Sequence, residues 1–407
     1  MDRRTIDARF SKVNLNMTHF IHRLVVVLAC CSLMACASIT PRGTGDLALI
    51  IERASGHVTL ASTSTGQPYA RIGGLGDLSH ASAVYSRDGR YAYVFGRDGG
   101  LNKIDMLAGK LVHRVIQSGN AIGGSISQDG RLVVVQNYKP GGIKAFDAET
   151  LELLSEVPAT YGEGQFSKVV GLADAPGNKF AYALFEAGEI RVSDFSNPRQ
   201  PVTTHYPAGN QPYDGLITPD GRHYLAGLFG EDGVALLDLW QPEKGSRKIL
   251  ENYGRGEEKL PVFKMPHLRG WSVAQGKAYL PAIGRHEVLV VDVATWKEVG
   301  RIPVRGQPVF VMARPDGRQI WVNFAFPDYG KVDVIDTLSG QVAHRIEPGK
   351  GILHMEFTPR GEQVWLSARD DHKILIYNTE TLAPIGKIEA DAPSGIFFSS
   401  RAHRIGF

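Results

Sequence analysis

Cysteine is nearly absent: the 407-residue chain has three, Cys30, Cys31 and Cys36, all near its start. Beyond residue 36 nothing remains to form a disulfide or a thiolate metal site, and no Cys-x-x-Cys-His occurs, which excludes covalent c-type haem. Charge of one sign is also missing. The formal +3 comes from Arg3, Arg4, Arg9, Lys12 and Arg23 against Asp2 and Asp7, so the rest of the chain is neutral. A neutral body has no general pull toward nucleic acid or an anionic membrane, and any basic function must be a local cluster. Gly-x-Ser-x-Gly, His-Glu-x-x-His and a phosphate loop are all lacking. Gly73-Gly-Leu-Gly has no following helix to make a dinucleotide site.

The longest uncharged apolar run, Leu24 to Ala35, is twelve residues. That is too short to cross a hydrocarbon core of about 30 Å but has the length of a signal-peptide core. Leu33-Met34-Ala35-Cys36 resembles the lipoprotein box of bacteria, with Cys36 as the lipid-modified residue. Residues 1–36 are therefore read as a lipoprotein signal peptide, with Met17 as an alternative start. The expectation is export to the periplasm and attachment to the membrane through the lipid alone.

What the chain has in quantity is glycine, 46 residues, and a repeat. A turn recurs as Asp88-Gly-Arg, Asp129-Gly-Arg, Pro176-Gly-Asn, Asp220-Gly-Arg, Gln275-Gly-Lys, Asp316-Gly-Arg and Arg360-Gly-Glu. A short strand ending in a turn-former follows each, as in Leu101…Asp105, Ile143…Asp147 and Val332…Asp336, at intervals of 42 to 54 residues. Four short strands every 40–50 residues predict a β-propeller, because a lone four-stranded unit cannot bury both faces. The strand anchor occurs eight times. The tail Ala392-Pro-Ser-Gly-Ile-Phe-Phe supplies an innermost strand beside Asp46-Leu-Ala-Leu-Ile-Ile-Glu. The expected fold is all-β: an eight-bladed propeller over residues 45–407, closed by strands from both chain ends in one blade. The widest interval holds an insert around Glu243–Lys259, read as a surface loop.

In an antiparallel blade, the loop entering the first strand and the turn after the second lie on the same face of the disc. That turn offers Arg53, Arg97, Lys139, Arg285 and Arg369, with Glu186, Glu231 and Asp328 in the other blades. A single loop arginine is as often a solvated rim charge, but converging guanidinium groups suit a carboxylate-rich ligand. The entering loops carry His80 and His267 at equivalent positions, with Tyr213-Asp214 beside a third. Imidazole is a common metal and haem ligand and titrates near neutral pH, although a lone histidine is more often structural. Arg269 and Trp271 follow His267 closely.

The segment His80…Gly89-Arg90-Tyr91…Val94…Gly96-Arg97-Asp98…Ile104-Asp105 resembles the haem d1-binding propeller of cytochrome cd1 nitrite reductase and its relatives in haem d1 biosynthesis. The resemblance implies that His80 is a haem iron ligand and that Arg53 and Arg97 hold the macrocycle's carboxylates. Arg269, Lys139 and Arg285 join them as candidate binding residues. His267-Leu-Arg-Gly matches a segment bearing one distal histidine, and Tyr213 stands where the other would be. A missing cytochrome c domain and a missing distal histidine argue against the reductase and against the two-domain dehydrogenase of the same pathway. The implied function is a late step of haem d1 biosynthesis, with haem d1 or its iron-tetrapyrrole precursor as ligand. His267, Tyr213 and Asp214 are then the candidate acid–base residues, and the nitrite reductase and the d1-pathway dehydrogenase the implied partners. A non-catalytic carrier that hands the cofactor to the reductase is the alternative. A lactonase-like hydrolase, with a carboxylate-held divalent metal, fits the basic face less well.

Overall fold

The computed structural model describes residues 42–253 and 270–406. Its chain divides into a unit of residues 1–43 and one of residues 44–407; in the first, only Arg42 and Gly43 are described. The lipidation candidate Cys36, like His267 and Arg269, lies outside the described residues.

Eight four-stranded antiparallel sheets and one two-stranded ribbon (Thr160–Tyr161 with Gln165–Phe166) make up the second unit. We number the blades in chain order, and each runs from its innermost strand outward. Blade two is typical: Ser82–Tyr85, Tyr91–Phe95, Gly100–Asp105 and Lys110–Ile116. Blades three to eight begin at Asn120, Val169, Pro212, Ser272, Pro308 and Ile352. Blade one is built from Leu47–Glu52, His57–Ser62 and Pro68–Ile72, and its innermost strand is the C-terminal Pro393–Phe398, which pairs antiparallel with Leu47–Glu52.

The repeating turn explains itself in hydrogen bonds. Asp88 Oδ1 accepts the Arg90 N–H at 3.0 Å and the Ser86 hydroxyl at 2.5 Å, and Asp129 and Asp220 do the same in their blades. The strand-end aspartates close the next turn: Asp147 Oδ1 accepts the N–H groups of Glu149 and Thr150 at 2.9 and 2.8 Å. These are Asx turns, which give the backbone a local partner where the strand stops.

Packing follows from strand periodicity, since alternate side chains point to opposite faces. Leu47, Leu49 and Ile51 pack toward blade two, with Tyr85, Ala92 and Val94, whereas Ala48 and Ile50 pack toward blade eight, with Trp365 and Ile374. Every blade interface has its own buried cluster of this kind, eight in all, so the core is a ring rather than a centre. The insert read as a loop is in part ordered strand. Ser246–Ile249 is the outermost strand of blade five, pairing with Val234–Leu237, because Ile249 buries against that blade's interface with blade six.

Two devices shape the channel. Innermost strands of blades four, five, seven and eight each set two residues against one on the neighbouring strand: Gly171-Leu172, Asp214-Gly215, Val309-Phe310 and Leu353-His354. Such bulges bend a strand and re-aim its side chains, here at the channel. The amide groups they free are taken up by side chains: Phe310 N–H donates to Asn323 and His354 N–H to Ser367, both at 2.8 Å. The second device is the C-terminal tail, Ser399 to Gly406, which crosses the face that carries the Asp-Gly-Arg turns. Arg87 donates to Ala402 O at 2.8 Å, and Gly406 N–H reaches the buried Asp174 at 2.8 Å. Arg401 donates to both oxygens of Glu356 at 2.8 and 2.5 Å.

Candidate functional site

A cavity of about 1530 Å³ occupies the channel. Arg53, His80, Arg97, Tyr213 and Asp214 all line it, as do Arg369, Trp271, Phe326 and Tyr329. Five residues chosen from distant repeats thus meet in one cavity. Lys139 and Arg285 do not line it. Lys139 is exposed, and Arg285 is exposed and acts electrostatically on Glu298, on the outermost strand of its blade.

Register explains the difference. Arg97 lies nine residues after the first residue of its turn, Asp88, and Arg369 nine after Arg360. Lys139 and Arg285 lie ten after Asp129 and Gln275. In an extended chain a slip of one residue turns a side chain to the other face. The ninth position in blades three, four and five is Tyr138, Phe185 and Phe229. Counting from the turn therefore finds the cavity-lining Arg97 and Arg369, whereas Tyr138, Phe185 and Phe229 pack around Tyr213 and do not themselves line the cavity.

The basic arc is held by local bonds. Arg97 N–H donates to Asp77 O at 2.8 Å, and Asp77 Oδ1 accepts Ser79 N–H at 2.8 Å, tying the loop before His80 to the turn that carries Arg97. Asp98 accepts from Arg114 at 2.6 Å and from Gly100 N–H at 3.0 Å, which fixes that turn. His80 Nδ1 is 3.4 Å from Arg97 Nη1, too long a contact to set the tautomer of the imidazole. Arg53 is half-buried, and its guanidinium has no hydrogen-bond acceptor among the described residues. Burial first, and then the like charge of Arg369, push its pKa below the ordinary arginine value, with Asp77 opposing. Arg369 is partly neutralised by Asp370, at 2.7 Å. An anion between Arg53 and Arg369 would relieve the repulsion between them.

Beside the basic arc, the Tyr213 and Tyr138 hydroxyls share a hydrogen bond of 2.7 Å, and Arg97 lies over the Tyr138 ring at 5.8 Å. Phe185 and Phe229 pack on Tyr213 at 5.9 and 6.1 Å. Burial pushes both phenols above the ordinary tyrosine range. Asp214 is the first residue of its bulge, with φ +60°, and its backbone lies so close to Gly171 that a Cβ there would sit 2.2 Å from Asp214 C.

Deeper in the channel is a residue the loop reasoning missed. His354 lines the cavity from the bulge of blade eight. Burial, and then the charge of Arg401, hold its pKa down at about 4, so the ring is neutral at physiological pH. Its signal in the sequence is the strand, two residues beyond the loop position of Ile352, and only the bulge turns it inward. Among the described residues no group of three His, Cys, Asp or Glu side chains is placed to hold a metal ion.

The donor set fits a large anionic ligand: Arg53, Arg97, Arg369 and His80 line the cavity together with the aromatic side chains of Tyr213, Trp271, Phe326 and Tyr329. Comparison with known proteins agrees with this chemistry. The model of the family "Cytochrome D1 heme domain" matches residues 42–402. Protein NirF of Pseudomonas aeruginosa is 57% identical over 378 residues, 92% of this chain and 96% of that protein. Protein NirF of Stutzerimonas stutzeri is 55% identical over 377 residues, again 92% and 96%. Among solved structures, dihydro-heme d1 dehydrogenase NirN in complex with DHE superposes with a TM-score of 0.78 at 25% identity, covering 90% of this chain and 78% of that one. The chain therefore belongs to the cytochrome D1 heme domain family and is most of the length of the NirF proteins it resembles.

Proposed function

We propose that this protein binds haem d1 or its iron-tetrapyrrole precursor in the channel mouth and acts in a late step of haem d1 formation, in the periplasm and anchored by a lipid on Cys36. The observation that carries the reading is the arc of Arg369, Arg53 and Arg97 with His80, from three consecutive blades, in which Arg53 has no acceptor of its own. In this reading the three guanidinium groups hold peripheral carboxylates and His80 offers its imidazole to the iron, whose chemistry the bound group itself supplies. Tyr213 and Asp214 face the ligand from blade five, and His267 and Arg269, which lie outside the described residues, remain its further candidates from the sequence. The partners are the d1-pathway dehydrogenase and the cytochrome cd1 nitrite reductase. Purified protein titrated with haem d1 should shift the Soret band, and His80→Ala should abolish the shift; an unchanged wild-type spectrum would discard the reading.

One observation favours the carrier reading. The Tyr213 hydroxyl is bonded to Tyr138 and its pKa is raised by burial, so it orients a ligand better than it exchanges a proton at neutral pH. Complementation of a strain lacking the protein with Tyr213→Phe and Asp214→Asn separates the two. Full haem d1 production means a carrier, whereas accumulation of a precursor means a catalytic step.

A further inference from the structure

One aromatic side chain at the mouth is held out of the core. Phe326 follows the second strand of blade seven, Gln319–Phe324; it lines the cavity and is 63% exposed. A phenyl ring left in water forgoes the stabilisation that burial would bring. The loop nevertheless fixes it in place. Ala325 N–H donates to Gln307 O, Asp328 N–H to Ala325 O and Lys331 N–H to Asp328 O, each at 2.9 Å. Lys331 Nζ donates to Asp328 Oδ1 at 2.8 Å, which leaves the loop without net charge. Phe326 stacks on Tyr329, with centroids 5.6 Å apart and the rings 29° from parallel. Tyr329, which also lines the cavity, is its one ring partner among the described residues.

Hydrogen bonds set this pair beside one end of the basic arc. Tyr329 O accepts Ile352 N–H at 2.7 Å, and Gly351 O accepts Arg369 N–H at 3.1 Å. Gly351 and Ile352 are consecutive, so a single dipeptide joins the backbone of Tyr329, in blade seven, to that of Arg369, in blade eight. The two loops are also closely packed: a Cβ on Gly330 would lie 2.9 Å from Gly349 O. An open aromatic ring on a rigid loop next to a guanidinium matches one kind of ligand. Its middle is flat and apolar, and its edge carries carboxylates.

We propose that the Phe326 ring, backed by Tyr329, is a stacking shelf for the conjugated ring of a carboxylated tetrapyrrole whose edge lies at Arg369. The shelf deepens the proposed function and rests on it. Phe326 moves no proton and no electron; it sets the plane of the macrocycle at blade seven, while Arg369 holds the edge. Its exposure in the unliganded protein then has a use, because the ring is buried when the ligand arrives.

The test is absorbance titration of the full-length protein with haem d1. Phe326→Ala should weaken binding about 10-fold, as for a lost aromatic contact, whereas Phe326→Trp, which keeps a flat ring, should bind within about 2-fold of wild type. Salt separates stacking from charge. The loss in Phe326→Ala should be the same at low and high salt, while the loss in Arg369→Gln should shrink as salt screens the guanidinium. The shelf is overturned when wild type binds haem d1 and Phe326→Ala binds it equally well, or when Phe326→Trp loses as much as Phe326→Ala. Failure of the wild type to bind haem d1 overturns the proposed function, and the shelf falls with it.

Discussion

Acidification should destabilise this propeller through His354 well before its carboxylates titrate. In the unfolded chain the imidazole takes up a proton near its ordinary value of 6.5, whereas in the folded protein burial holds it neutral down to about pH 4. Between those values the unfolded state binds more protons, so stability falls as the pH drops through the window. The charged groups acting on the ring are Glu356 on its own strand and Arg401 on the tail. Arg401 adds to the effect and Glu356 opposes it. Glu356 itself titrates lower: burial raises its pKa, but Arg401 more than offsets this and leaves it below the ordinary 4.5. Its own contribution is therefore present above that range and lost in stronger acid. From the two histidine values, lowering the pH from about 7 to 5 should remove roughly 2 kcal/mol of folding free energy through His354. Urea denaturation of wild type and His354→Gln at both pH values isolates this share, because His223, whose pKa burial also lowers, contributes equally to both proteins. The variant should lose about 2 kcal/mol less than wild type; parallel losses would refute the reasoning.

Arg401→Met should cost about 3–5 kcal/mol, since Arg401 and Glu356 side chains are only 10% and 4% exposed and the carboxylate would be left unpaired. Adding Glu356→Gln should recover more than half of that in urea titrations. Gly99→Ala should lose on the order of 4 kcal/mol or fail to accumulate as soluble protein, because Gly99 has φ +83° and a Cβ would lie 1.9 Å from Ser118 O. Tyr138→Phe should cost about 1 kcal/mol through the lost bond to Tyr213, with the Tyr213 ring held in place by Phe185 and Phe229, as a Tyr213 ring NMR signal would report.

The architecture was legible because each repeat spells its own turn: Asp-Gly-Arg and the strand-end aspartates announce Asx turns, and alternating apolar residues do the rest. Which residues meet in the cavity was legible where a residue's place depends on the loop alone, as for His80, Arg53 and Arg97. Two physical effects hid the remainder. At strand ends a single residue of register decides the face, and it separates Lys139 and Arg285 from the cavity-lining Arg97 and Arg369. In the innermost strands a bulge, which no composition rule announces, turns His354 into the channel. The outermost strand Ser246–Ile249 was hidden by a Lys, Arg and Gly-rich neighbourhood that reads as loop, although Ile249 alone gives it a buried anchor.

The most direct test of the mouth is its register. Haem d1 affinity would be compared in four variants, Arg53→Gln, Arg97→Gln, Lys139→Gln and Arg285→Gln. Each of the first two should weaken binding about 10- to 100-fold, as for a lost charge-assisted hydrogen bond, while the second two bind like wild type. Equal losses at Lys139 and Arg285, or none at Arg53 and Arg97, would contradict the account.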